Sequence, residues 1–374
     1  MAKIIRHSRF VSNPFGDGAA KRSAQIEELL QRAGIDYVND SFLLPKEKTF
    51  LKKTTMFWKG LRMVLREFSI SEIRSVSNFI TMSKYLGLRI PIFEKYADED
   101  VAFLNEDTTS GAYGLPYLAK AFKKKMIAVP HNMESLCCEG MDDQSGKPKL
   151  AWLLEDIRRL KMCDTVFCIS KEETWLLQVH GVNAYYLPYY PPHEAEHYLL
   201  GIRAKREQYS HDKNCRFLIL GSISNRPTRV GMESLLGVLS RIDHLPFEIH
   251  VAGYGTERLK ITSHPQIIYH GSVSDSELEE LLVETTGLIV NQPPTSGALT
   301  RIVENLIAGI PVFASFGAAR DYFQEKDVNV FASFDELIAL LEPLQYKVAM
   351  MPIRNVNAER SFMNICKHYA NGSL

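Results

Sequence analysis

Short apolar runs alternate with stretches of helical periodicity along most of the chain, the pattern of strands buried on both faces by packed helices. The first run, Ile4-Ile5-Arg6-His7, leads into a glycine-bearing turn, Asn13-Pro14-Phe15-Gly16-Asp17-Gly18. Ile26, Leu29, Leu30 and Ala33 then recur at helical spacing until Gly34, and residues 35–38 read as the next strand. The chain thus begins as a β-α-β unit. Met126-Ile127-Ala128-Val129 and Thr165-Val166-Phe167-Cys168-Ile169 predict two further buried strands. Ser170 caps a helix that carries Glu172 and Glu173 in its first turn.

The pattern breaks at Leu187-Pro188-Tyr189-Tyr190-Pro191-Pro192, where the prolines favour an extended path, and a charged stretch follows to Lys213. An interdomain linker is placed here. A second α/β series starts at Arg216-Phe217-Leu218-Ile219-Leu220-Gly221, with later strands at 247–252, 267–269, 288–290, 312–314 and 328–331. One of its helices opens at Ser274 with Glu277 in a capping-box position. The last helix, 356–370, follows the completed second series and is expected to cross back to the first. The expected architecture is α/β: two Rossmann-like doubly wound domains facing across a cleft, one formed by 1–190 with 356–370 and one by 213–350.

One segment of the second series carries chemistry. After the buried strand Gly287-Leu288-Ile289-Val290, a polar loop, Pro293-Pro294-Thr295-Ser296-Gly297-Ala298-Leu299, runs into a short amphipathic helix with Arg301 and Glu304 on one face. Gly309 ends that helix and Pro311 starts the next apolar run. Parallel sheets bind ligands at the carboxyl ends of their strands. The helix therefore offers amides, a cation and a carboxylate where a nucleotide diphosphate would sit. Such a chain handles an activated, phosphate-bearing small molecule.

Composition narrows the setting. At 374 residues the chain suits two domains of roughly 150–200 residues each. Its formal net charge is zero, so the total charge does not point to nucleic acid. Six cysteines show no Cys-x-x-Cys pair, and Cys163 and Cys168 lie in apolar surroundings; this suits a reducing cytosol. No stretch approaches the ~20 apolar residues of a membrane span, and the N-terminus lacks the long apolar region of a signal peptide. A cytoplasmic protein is expected.

Residues 216–344 carry a series of motifs in a fixed order: Gly221-Ser222, Arg226-Pro227, Ala252-Gly253-Tyr254-Gly255, Gly271-Ser272-Val273-Ser274-Asp275, then Arg301, Glu304, Ala308, Gly309, Pro311 and Val312. In these residues the chain resembles the family-4 retaining glycosyltransferases of the GT-B fold. The first half is similar more thinly, at Gly16 to Gly18, at Pro130-His131-Asn132-Met133-Glu134 and at Cys163-Asp164-Thr165-Val166. The resemblance implies that Glu304 accepts hydrogen bonds from the ribose hydroxyls, a task suited to the two oxygens of a carboxylate. It implies that Arg301 and either or both of Arg226 and Arg229 bind the diphosphate, and that the amides of Gly297, Ala298 and Leu299 contribute. Gly16 and Gly221 would let the backbone approach the donor, and His131 would lie near the donor sugar. Asp17 and Glu134 are candidate acceptor contacts. The family often carries a glutamate eight residues before the ribose-binding one. This chain has Ser296 there, whose hydroxyl is still able to bind a sugar.

What the resemblance implies is a retaining, metal-independent transfer of a sugar from a nucleoside diphosphate sugar to a glycan or lipid-linked acceptor in polysaccharide or glycoconjugate synthesis, with no cofactor. The alternatives are a non-catalytic GT-B subunit that partners an active enzyme, and a GT-B epimerase or phosphorylase. Gly253-Tyr254-Gly255 lacks the third glycine of a dinucleotide fingerprint. Asp98-Glu99-Asp100 sits in an acidic helix-like stretch and reads as surface rather than as a metal motif. Residues 46–89 carry Lys46, Lys48, Lys52, Lys53, Lys59, Arg62, Arg66, Arg74, Lys84 and Arg89 interleaved with Phe50, Met56, Phe57, Trp58, Leu61, Met63 and Leu65. This segment is either an ordinary amphipathic helix or a peripheral contact with the anionic inner face of a membrane.

Overall fold

A computed structural model describes residues 3–45, 50–68, 72–73, 75–107, 114–137, 149–209, 215–259, 264–342 and 344–371. Lys46, Lys48 and Arg74 of the basic segment, together with Cys138 and Lys213, lie outside the described residues. The chain divides into two units, Met1–Pro188 with Asn355–Leu374, and Tyr189–Arg354.

The first unit runs β1 (Lys3–His7), α1 (Gly18–Arg32), β2 (Asp36–Asn39), α2 (Asp40–Leu43), α3 (Phe50–Glu67), α4 (Val76–Lys95), β3 (Val101–Asn105), α5 (Leu115–Ala121), β4 (Lys125–Ala128), α6 (Lys149–Leu160), β5 (Thr165–Cys168), α7 (Lys171–Val179) and β6 (Ala184–Tyr186). Its sheet is parallel, in the order β2-β1-β3-β4-β5-β6. Side chains alternate across a strand, so Ile5, Phe103 and Met126 pack on one face with Leu86, Phe93 and Leu118. Ile4, Leu104 and Ile127 pack on the other face with Ile26, Leu29 and Leu30 of α1.

The second unit runs α8 (His193–Gln208), β7 (Arg216–Leu220), α9 (Arg226–Leu239), β8 (Glu248–Ala252), β9 (Ile267–Gly271), α10 (Asp275–Glu284), β10 (Gly287–Val290), α11 (Thr300–Ile307), β11 (Val312–Ser315), α12 (Phe316–Ala319), β12 (Val328–Phe331) and α13 (Phe334–Leu341). Its parallel sheet has the order β12-β11-β10-β7-β8-β9. Phe217, Ile249, Ile289 and Phe313 are buried against Leu235 and Leu236 of α9 and Leu337 and Leu341 of α13. The last helix, α14 (Val356–Ala370), belongs to the first unit and packs on α1, placing Phe362 and Cys366 in its core.

Two sequence expectations differ from this. The charged stretch read as a linker is helix α8, packed on α10 and α11 within the second unit, and the chain passes between the units at Pro188 and Tyr189. The prolines end at the helix N-cap, Pro192, and the charges that suggested exposure include Arg206, which is fully buried. The helix-like reading of 98–100 is also corrected. These residues form a turn and the first step into β3, a buried strand that the acidic run had masked.

Candidate functional site

In the second sheet the crossovers from β7 and β10 leave in opposite directions, and these two strands are neighbours. That switch point opens a crevice at the carboxyl ends of the strands. Leu220 and Gly221 border it from β7, and Asn291 and Gln292 from β10. Arg301, in the first turn of α11, spans the two. Its Nη1 donates to the Leu220 carbonyl at 3.1 Å and its Nη2 to Gln292 Oε1 at 2.7 Å. Among the described residues its enclosed Nε has no acceptor and no ion pair involves this side chain. Burial without a neighbouring carboxylate pushes the guanidinium down to about 10. A cation held only by neutral acceptors in a crevice is poised for an anion.

The surrounding loops are built for close approach. Gly253 has φ +125°, and a Cβ there would meet the Gly221 carbonyl oxygen at 2.2 Å. A Cβ on Gly221 would lie 2.9 Å from Arg301 Nη1, so a side chain would displace the guanidinium. Three residues along α11 from Arg301, Glu304 is buried and its Oε1 accepts from the Tyr189 hydroxyl at 2.8 Å. Leu299 caps α11 without a side-chain hydrogen bond. The loop before it is fixed from below: Arg320 donates to the Gly297 carbonyl and Tyr322 to the Leu299 carbonyl at 3.0 Å. Gly297 is buried with φ +75°, while Ser296 and Ala298 are half-buried.

The other second-unit candidates lie on α9. Arg226 is its first residue and is exposed; Arg229 is also exposed and faces Glu233 at 4.0 Å.

In the first unit, His131 follows β4. Its ring stacks on Phe10 at 4.6 Å, its Nε2 is 3.4 Å from Glu106 Oε2, and its Nδ1 is enclosed with no partner among the described residues. Glu106 is fully buried at the end of β3, where Arg6 Nε and the Ser23 hydroxyl (2.7 Å) also donate to it. Burial would raise its carboxyl, but Arg6 and His131 hold it down at about 2. Asp17 caps α1, accepting from the Ala20 amide at 2.9 Å, and the adjacent Gly16 amide donates to the Asn13 carbonyl. Glu134 opens a short 3-10 turn, Glu134–Leu136, and is half-buried.

The structure thus brings Arg301 to Gly221 and Gln292 at the switch point of one unit, with the 296–299 loop and Glu304 flanking it along the chain, and His131 to a buried carboxylate in the other. Gln292, Tyr189, Glu106 and Arg6 were not legible as site residues. Gln292 was the nearest to hand, since it directly follows a strand that ends at the crevice.

No protein-family model and no curated protein matches this sequence. Solved structures do match. Sucrose-phosphate synthase from Thermosynechococcus elongatus aligns over 100% of this chain and 94% of its own, with TM-score 0.57 and 12% identity. Anabaena HepE in complex with UDP aligns over 100% and 95%, with TM-score 0.54 and 11% identity. The catalytic domain of starch synthase IV from Arabidopsis thaliana, bound to ADP and acarbose, aligns over 99% of each chain, with TM-score 0.58 and 9% identity. The chain has the GT-B fold of such glycosyltransferases, with both Rossmann-like sheets present.

Proposed function

We propose that the protein is a retaining glycosyltransferase, akin to family 4, that moves a sugar from a nucleoside diphosphate sugar to a glycan or lipid-linked acceptor. The observation that carries this reading is Arg301, a cation at the switch point held by two neutral acceptors and enclosed at Nε. Donor diphosphate beside it would supply the missing negative charge. Glu304 would take the ribose diol, and Arg226 and Arg229 at the start of α9 would meet the phosphates from the exposed side. The amides of Gly297, Ala298 and Leu299 and the Ser296 hydroxyl would face the phosphates and donor sugar. UDP in HepE and ADP in starch synthase IV are the ligands of two similar folds, which supports a nucleoside diphosphate as the ligand proposed here.

In the transfer, the bond from sugar C1 to the phosphate oxygen breaks and the diphosphate departs with the electron pair. The acceptor oxygen bonds to C1 on the same face and its proton passes to the departing phosphate oxygen. Arg301, held by Leu220 and Gln292, would stabilise the growing phosphate charge without reorganising. His131, Gly16, Asp17 and Glu134 are the first unit's candidates for sugar and acceptor.

A lipid-linked acceptor fits the exposed face of α3. Leu51, Trp58 and Leu65 recur every seventh residue and are 80%, 55% and 66% exposed, with Lys52, Lys59 and Arg66 each one residue further on. This apolar row spans about 21 Å, with Lys59 paired to Glu94 and Arg66 to Glu67 beside it, and would suit a lipid surface chiefly through its apolar side chains. Among the described residues no helix is long and apolar enough to cross a membrane.

The reading is tested by donor hydrolysis. A transferase releases nucleoside diphosphate slowly from its own donor in the absence of acceptor, and Arg301→Ala should abolish that release. No hydrolysis of any common sugar nucleotide would favour a non-catalytic subunit.

A further inference from the structure

We propose that Tyr189 is a positioning residue for the nucleotide ribose, acting through Glu304. The inference rests on the ribose role of Glu304 given above and adds what makes that role work. Tyr189 and Glu304 are 3% and 7% exposed, and the phenol donates to Oε1 at 2.8 Å.

A buried carboxylate is costly unless hydrogen-bonded, and one attached through three torsions is poorly aimed unless something fixes it. The phenol does both. A carboxylate offers roughly four acceptor positions, and a single phenol donor takes one of them. The neighbouring tyrosine does not share the task, because Tyr190 donates to Glu196 at 3.0 Å and lies under Arg354. The helix bearing Glu304 is pinned as well: Arg203 of α8 donates to the carbonyls of Leu306 and Ile307 at its C-terminal end, at 2.7 and 2.8 Å. Tyr189 therefore orients a side chain whose backbone is already fixed. It stands directly after the passage between the units, in the proline-rich stretch that looked like mere linker.

The test uses the nucleoside diphosphate that the wild-type protein binds, together with its 2′-deoxy and 3′-deoxy forms. Dissociation constants are measured for wild type and Tyr189→Phe, which removes one oxygen and keeps the ring. The substitution should weaken the ribonucleotide roughly 10-fold and the deoxy forms less than about 2-fold, so that discrimination between them contracts. Equal weakening of all three, or no weakening, would overturn the proposal. If Tyr189→Phe fails to fold, 3,5-difluorotyrosine at position 189 keeps the shape and ionises at lower pH. Ribonucleotide affinity should then fall as that phenol loses its proton, and a pH profile identical to wild type would overturn the proposal. Failure of wild type to bind any nucleotide is a separate outcome: it removes the ribose role of Glu304 and this inference with it.

Discussion

Arg301 donates through Nη2 to the side-chain oxygen of Gln292 at 2.7 Å, a full charge answered by a neutral amide. Replacing that amide by a carboxylate of the same shape separates stability from binding. Gln292→Glu should form an ion pair with Arg301 and raise unfolding stability by about 1 kcal/mol. The same carboxylate would compete with diphosphate and repel it, so nucleoside diphosphate affinity should fall at least 10-fold. Thermal unfolding with and without nucleotide reads both effects. Gain of stability with undiminished affinity would show that the diphosphate does not meet Arg301.

Glu106 ties acid stability to the first unit's site. Its folded carboxyl titrates at about 2 against the ordinary 4.5. A depressed carboxyl contributes stability that is fully present above the unfolded value and is lost as pH falls from about 4.5 toward 2. The difference corresponds to about 3 kcal/mol. Glu106→Gln should lose a similar amount at pH 7, because Arg6 would remain buried without its carboxylate. Its denaturation midpoint should also vary less than that of wild type between pH 5 and pH 3. Parallel curves for the two proteins would contradict the assignment.

Arg206 holds the second unit together from one side chain. It donates to the carbonyls of Leu282, Val283 and Thr285 near the end of α10 and to that of Gly309 beyond α11. Burial pushes its guanidinium down to about 10. Arg206→Met keeps much of the volume and removes the guanidinium from the carbonyls of Leu282 and Thr285, while the Tyr346 hydroxyl and the Ala349 amide still donate to those of Val283 and Gly309. It should cost about 3 kcal/mol or more by chemical denaturation. A loss below about 1 kcal/mol would mean that water replaces the guanidinium.

These residues also mark where the sequence is readable. Strands buried on both faces announce themselves, and β4, β5, β7, β10 and β11 were all visible as unbroken apolar runs. The α11 segment was visible because a strand, a polar loop, a cation-carboxylate pair and a glycine stop occur in one order. The strand β3 is equally apolar but follows Asp98-Glu99-Asp100, and the acidic run drew the eye to a helix. With β3 unread, Glu106 at its end had no place in the picture. Helix α8 failed for another reason. Its charged residues look solvated, yet Arg203 and Arg206 spend their guanidiniums on backbone carbonyls, a role that periodicity does not encode. The Tyr189 phenol reaches Glu304 and the Gln292 amide reaches Arg301 through side-chain hydrogen bonds that exist only in the folded chain.

The most direct test of the account is binding of UDP, GDP and ADP, with their common sugar conjugates, to wild type, Glu304→Ala and Arg301→Ala, followed by thermal shift. Selective stabilisation of wild type by one nucleotide is expected, about 2.7 kcal/mol at 100 times its Kd, with the shift lost or sharply reduced in both variants. A shift that survives in both variants would place the nucleotide elsewhere. The absence of any shift in wild type would contradict a nucleotide-sugar transferase outright.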